Sequence, residues 1–311
     1  MTTAPFDDLP SPAQCTPITL LALRVLADLR RWTAAFSLPD TPVEAMAMTA
    51  ATISPWRSAD DLRLTTRMYA WTYALDDEVE REVTDQADLD ALLGHCAEIV
   101  RTGRYDGVHP LLVALAAWQR EVNDLSVHPR LSDLWVAKVD LALRGVRYDW
   151  VTGRARSGGQ AVGTDVREYL SHADSILVWV ANFGRWVTLP APELLGELDT
   201  LVSAMDDLVV AVRLANDLAT YSWERVDHGQ NNVLMYDVTP GWVLREMHAA
   251  ADSARRRLAE LVAGGFAPAV EIVRQLDCAL SFYALADFRG WGSDVPVGSG
   301  AETRRADGEN R

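Results

Sequence analysis

The stretch Asn216-Asp217-Leu218-Ala219-Thr220-Tyr221-Ser222-Trp223-Glu224 carries an amide oxygen, a hydroxyl and a carboxylate at intervals of four residues. On a helix, Asn216, Thr220 and Glu224 project from one face. A column of hard oxygen donors suits Mg²⁺, which prefers oxygen and keeps waters or substrate phosphates in its remaining positions. The apolar run Leu208-Val209-Val210-Ala211-Val212 just before it would bury the same helix, so a polar stripe there needs a reason. A helix end that turns polar where it meets solvent is the plainer one. A second cluster lies upstream, in Tyr69-Ala70-Trp71-Thr72-Tyr73-Ala74-Leu75-Asp76-Asp77-Glu78-Val79-Glu80-Arg81-Glu82. Asp76 and Glu80 share a helical face, with Asp77, Glu78 and Glu82 crowded beside them. Like carboxylates repel, so either a bound divalent cation or an exposed acidic helix end accounts for the crowding. Aromatic and apolar residues lead directly into it, as they would where an oily cavity ends at a charged mouth.

Together, Asp-Asp-x-x-Glu at 76–80 and Asn-Asp-x-x-Thr-x-x-x-Glu at 216–224 resemble the aspartate-rich and NSE/DTE metal motifs of class I terpene synthases. Each motif alone is weak. Their order, separation and chain length agree with the bacterial single-domain members. The resemblance implies an all-α bundle with the two motifs on facing helices across a hydrophobic pocket. It further implies an isoprenoid diphosphate substrate and Mg²⁺, three ions, held by Asp76, Asp77, Glu80, Asn216, Thr220 and Glu224. Asp76 and Asp77 then carry the catalytic metal chemistry.

Arg213 precedes Asn216 by three residues, so its planar guanidinium lies near the same face and suits phosphate oxygens, an ion pair with Asp217 being the alternative. Arg225 and the segment Gly229-Gln230-Asn231-Asn232-Val233-Leu234 resemble the family's chain just downstream of the second motif. The Glu168-Tyr169-Leu170 start of another segment resembles the helix that leads to a diphosphate-sensing arginine, but the sensor position reads Ala173. With Arg213-Leu214-Ala215-Asn216-Asp217-Leu218-Ala219-Thr220-Tyr221, this resembles the labdane-type diterpene synthases. A C20 substrate is implied, linear or already bicyclic, the bicyclic form coming from a separate class II cyclase. A sesquiterpene synthase acting on linear farnesyl diphosphate is the alternative within the family, and a non-catalytic helical scaffold the alternative outside it. A homodimer is compatible with either. The family's carboxy-terminal Arg-Tyr pair is not visible, Arg289-Gly290-Trp291 and Arg304-Arg305 being its candidate replacements.

A carbocation must be kept from water and faced with electron-rich groups of low nucleophilicity. Aromatic faces serve, at roughly 0.5–2 kcal/mol per contact. The chain has 11 Trp, and aromatic residues fall where a pocket is expected. Tyr69 and Tyr73 share the face of Asp76; Trp179, Phe183 and Trp186 form a stripe on the helix expected to carry Ala173. Two or three of these five are expected to line the cavity.

These groups need helices to position them. Helical periodicity, punctuated by Pro, Gly and Asp, predicts helices over about 18–36, 41–52, 59–81, 88–102, 109–122, 130–151, 165–188, 192–226, 240–263 and 267–287. Strand-like alternation is nearly absent. The reading is one all-α domain over 17–291, preceded by a tail over 1–16 and followed by a flexible Gly, Ser, Asp and Arg-rich tail over 292–311. A net charge of −15 offers no basic stripe and argues against nucleic acid. No apolar run approaches the ~18 residues of a membrane span, and the amino terminus has no secretory pattern. Cys15, Cys96 and Cys278 are odd in number and far apart, which fits a reducing cytoplasm. Asp88-Leu89-Asp90 starts like a class II general-acid motif but continues with Ala91, and Gly-x-Ser-x-Gly does not occur.

Overall fold

Serine caps and prolines set several of the helix starts. Ser11 and Gln14 form a reciprocal capping box before Pro12, and Ser58 and Asp61 form another before Ala59. In a computed structural model, which describes residues 10–286 apart from 39, 40, 126, 190, 227 and 228, the helices are α1 (Pro12–Ala35), α2 (Val43–Ile53), α3 (Ala59–Arg81), α4 (Gln86–Thr102), α5 (Pro110–Asn123), α6 (Pro129–Ser157), α7 (Val166–Ser171), α8 (Val178–Trp186), α9 (Ala191–Gly196), α10 (Leu198–Glu224), α11 (Pro240–Ala263) and α12 (Ala267–Tyr283), with 3₁₀ turns at Ala173–Ile176 and Val233–Met235. No strand occurs among the described residues. The Ser11 box starts the first helix earlier than its apolar periodicity, so residues 12–16 of the expected tail are helical. The tail expected over 292–311, with Arg289, Trp291, Arg304 and Arg305, lies outside the described residues.

α10 is the central staff. Its inward side, including Leu201, Leu208, Ala211 and Leu214, is fully buried, and it packs against both α11 and α12. α3 packs along α8, α1 closes over α2 and α3, and α4 runs beside α6. Burying such side chains at roughly 25 cal/mol per Å² of apolar surface holds the helices together, and leaves an oblong space between α3, α6, α8 and α10.

The single helix expected over 165–188 breaks in the middle. α7 ends at Ser171, the chain tightens into the 3₁₀ turn, and Leu177 takes a left-handed conformation (φ 59°) before α8 begins. Neither Gly nor Pro marks the break, so local sequence gives no warning of it. The turn packs against α6. A Cβ at Gly145 would lie 2.8 Å from the carbonyl oxygen of His172 and from the nitrogen of Ser175, so that glycine lets the two backbones meet. A positive φ at a branched residue is strained, a feature concentrated at functional sites.

Candidate active site

Asp76 and Glu80 come off the last turns of α3, and Asn216, Thr220 and Glu224 off the last turns of α10. All five line one cavity of about 480 Å³. The separation of 140 residues along the chain is closed by packing, and the loop after α10 ties the two sides together. Gln230 Nε2 donates to Glu80 Oε1 at 3.1 Å. That loop approaches α6 because of Gly153, where a Cβ would lie 1.9 Å from the carbonyl oxygen of Gly229. Gly229 itself has a φ of 108°, open to glycine at no steric cost. Deeper in, Tyr69, Thr72 and Tyr73 line the wall from α3, Val146 and Trp150 from α6, and Ser175 to Val178 from the helix break.

Beneath the α10 face lies a buried polar network centred on Arg213. Its Nε donates to the Tyr169 hydroxyl at 2.6 Å, Nη1 to Asp149 Oδ2 at 2.7 Å and Ser175 Oγ at 2.6 Å, and Nη2 to the Asn231 carbonyl at 2.8 Å. Asp217 Oδ1 is 3.3 Å from Nε, and the Tyr169 hydroxyl donates to Asp217 Oδ2 at 2.7 Å. The ion pair with Asp217, the alternative to a phosphate role, is present, and every nitrogen of the guanidinium is engaged within the protein, although Arg213 also lines the cavity. Desolvation alone would lower its pKa, but the surrounding anions, Asp149 foremost, outweigh that and hold it well above the usual range. Asn232 Nδ2 donates to the Asp217 carbonyl at 2.8 Å and to Glu224 Oε2 at 2.7 Å, fixing the last ligand candidate of the column.

Burial pushes Asp217 up to about 6, against the pull of Arg213. Burial, with repulsion from Asp217, pushes Glu224 up to about 7. A desolvated carboxylate with that cost attached is the kind of group a divalent cation stabilises. The donor set is all oxygen, as Mg²⁺ requires. Among the described residues no three Asp, Glu, His or Cys side chains converge closely enough to hold an ion by themselves. The amide and hydroxyl of Asn216 and Thr220, together with oxygens of a ligand, would have to complete such a site.

Several expected residues lie elsewhere. Asp77 is turned off the cavity and pairs with Arg81 at 2.8 Å, one residue around the helix being enough to change faces. Arg225 is the exposed C-cap of α10. Ala173 is buried in the 3₁₀ turn and does not line the cavity; its neighbours Ser175 to Val178 do. Of the five aromatics, Tyr69 and Tyr73 line the wall. Trp179, Phe183 and Trp186 do not, being core: Phe183 stacks on Trp135 with centroids 4.7 Å apart, and Trp179 meets Trp186 edge-on at 5.1 Å. The break rotates α8 relative to a continuous helix, so their stripe faces the core. The rest of the aromatic lining comes from Trp150 and Tyr283, which no motif flags, and from Trp223, inside the second motif but not one of its oxygen donors. Arg154 was missed as well. It lines the mouth, donates to the Val83 carbonyl at 3.2 Å and lies over the Trp150 ring at 5.0 Å.

No protein-family model matches the chain. It is 46% identical over 277 residues to the ent-pimara-9(11),15-diene synthase of Streptomyces sp. strain KO-3988, covering 88% of this chain and 94% of that one. The chain belongs to the class I terpene synthases. Linalool/nerolidol synthase from Streptomyces clavuligerus has the same terpene synthase fold, with a TM-score of 0.64 at 17% identity over 83% of this chain and 94% of that one. Its complex with 2-fluorogeranyl diphosphate gives 0.63 at 16% identity, over 84% and 96%. As an all-α terpene synthase, the chain has no helix among its described residues long and apolar enough to cross a membrane.

Proposed function

We propose that this terpene synthase is a Mg²⁺-dependent diterpene synthase. It ionises an allylic C20 diphosphate and converts the resulting carbocation to a hydrocarbon or alcohol with release of diphosphate. The observation that carries the reading is the common cavity of Asp76, Glu80, Asn216, Thr220 and Glu224, which Tyr69, Tyr73, Trp150, Trp223 and Tyr283 also line. Its volume falls in the range of small-ligand sites, roughly 300–1,000 Å³, and the 46% identical relative is named for a diterpene hydrocarbon.

In this reading the α3 and α10 oxygens would hold the cations at the mouth. Bound Mg²⁺ would supply Lewis-acid stabilisation of the charge developing on the departing diphosphate. Arg154, at the rim, meets phosphate oxygens, and Arg213, which the sequence offered for that role, also lines the cavity. Arg213 acts from beneath as a positioning residue, fixing Ser175 and the loop at Asn231 against the α10 face. The aromatic walls exclude water and offer cation–π contacts. With no arginine at Ala173, the labdane-type resemblance favours a bicyclic diphosphate made by a separate class II cyclase.

The test is incubation with Mg²⁺ and, separately, C10, C15, linear C20 and labdadienyl diphosphates, with products read by gas chromatography and mass spectrometry. A C20 product from either C20 substrate, lost on chelation of Mg²⁺, is expected. Turnover of the C15 diphosphate alone would make the enzyme a sesquiterpene synthase, and no turnover of any would leave a helical scaffold.

A further inference from the structure

Behind the deep wall of the cavity sits a second buried arginine, which none of the chemistry above uses. Arg185 on α8 is 2% exposed. Its Nη1 donates to two amide oxygens, Asn182 Oδ1 at 2.7 Å and Gln275 Oε1 at 3.0 Å. Its Nε and Nη2 are buried with no acceptor among the described residues. Neither hydrogen-bond partner carries charge. Other buried arginines are treated differently, Arg213 meeting Asp149 and Arg57 meeting Glu271 through a carboxylate. A guanidinium buried against neutral partners is costly, and an apolar side chain of similar size would fill the space without that cost.

The same two amides hold a residue of the cavity wall. Gln275 Nε2 donates to the Tyr69 hydroxyl at 2.9 Å, and that hydroxyl donates to Asn182 Oδ1 at 3.3 Å. Tyr69 lies seven residues before Asp76 on the same face of α3, about 10 Å deeper along the helix. On α8, Val178 lines the cavity, and Asn182 and Arg185 follow on the same face. α3, α8 and α12 therefore place a positive charge one amide behind the phenol, at the end remote from the oxygen donors.

We propose that Arg185 is a specificity-determining residue: its buried charge, one amide behind Tyr69, disfavours positive charge on the substrate at the deep end of the cavity and so biases the carbocation toward the carboxylate mouth. The inference rests on the functional reading above. A fixed charge in a dry interior acts over longer range than in water, and it does so without reorganising during the reaction.

The test compares binding of two C20 diphosphate analogues in the presence of Mg²⁺, identical except at the far end, where one bears a trimethylammonium and the other its neutral tert-butyl isostere. Calorimetry gives the ratio of their Kd values, ammonium over neutral. In Arg185→Met this ratio is expected to fall at least tenfold, and in Arg185→Lys to stay near that of the unaltered protein. Circular dichroism checks folding. Cys278→Asp leaves Arg185 in place and sets a carboxylate on α12 one turn from Gln275, so it should lower the ratio even if Arg185→Met does not fold. An unaltered ratio in the folded variants overturns the proposal alone. An unaltered protein that binds neither analogue overturns the functional reading with it.

Discussion

The two helices whose oxygens meet across the cavity are built in opposite ways. On α10, Thr220 and Glu224 are buried, and the helix beneath them is locked by Arg213, Tyr169, Asp217, Asn231 and Asn232. On α3, Asp76 is exposed, and its neighbours are engaged by cationic or polar partners, Asp77 by Arg81 on the same helix and Glu78 by His109. A face locked by a saturated network cannot adjust when ligand arrives, because each displaced partner would leave a buried polar group unpaired. The α10 face is thus tied into the buried interior, whereas Asp76 on α3 is exposed. Function should fall without stability at Asp76 and Asn216, which line the cavity, and stability should fall at Arg213, in the network beneath α10.

The largest effect expected is on turnover. Asp76→Ala should lower kcat/KM about a thousandfold or more, the scale of losing a principal charge-stabilising group, while the melting temperature holds. Asn216→Ala should match it in rate, and helical circular dichroism should be intact in both. Full activity in either variant would remove that residue from the site. Next, Arg213→Met should cost about 3–5 kcal/mol in urea unfolding, since it leaves Asp217 a buried carboxylate, and Asp149 a half-buried one, without a cationic partner. A loss under 1 kcal/mol would show that the α10 network is not what fixes this face.

A smaller effect concerns Asp174, in the 3₁₀ turn between α7 and α8. Burial pushes its pKa from 3.8 up to about 6, against the attraction of Lys138 and Arg144 and with repulsion from Asp206. Because the folded state binds this proton more tightly than the unfolded one, its contribution to stability is present below pH 3.8 and is lost as the pH rises through about 6. Asp174→Asn should thus stabilise the protein at pH 7 by about 2 kcal/mol at most, the group being partly hydrated, and change little at pH 4. Equal effects at the two pH values would contradict the raised pKa. The smallest expected effect is at the rim, where Arg154→Gln should raise KM for the diphosphate about fivefold, or ~1 kcal/mol, with unfolding unaltered.

How far the sequence carried can be seen residue by residue. Asp76 with Glu80, and Asn216 with Thr220 and Glu224, were legible because helical periodicity within one element fixes which side chains share a face. Tyr69 and Tyr73 followed from the same rule. Trp179, Phe183 and Trp186 were misplaced because the rule was carried through a break it cannot see. Leu177 adopts its positive φ at the end of a turn whose backbone, at His172 and Ser175, meets α6 where Gly145 leaves room. Arg154 and Trp150 went unnoticed because they lie beyond the predicted end of their helix at 151 or beside it, without a motif.

The sequence by itself determined the helical class, the two oxygen-bearing faces and the resemblance that joins them, all properties of spacing along single helices. Only the tertiary structure decided that Arg213 is bonded into a network within the protein, that the sensor segment is broken, and that an arginine without a charged partner among the described residues stands behind Tyr69. Those depend on which groups from distant elements arrive at the same place, and on whether burial leaves each polar atom a partner. Periodicity carries no record of either.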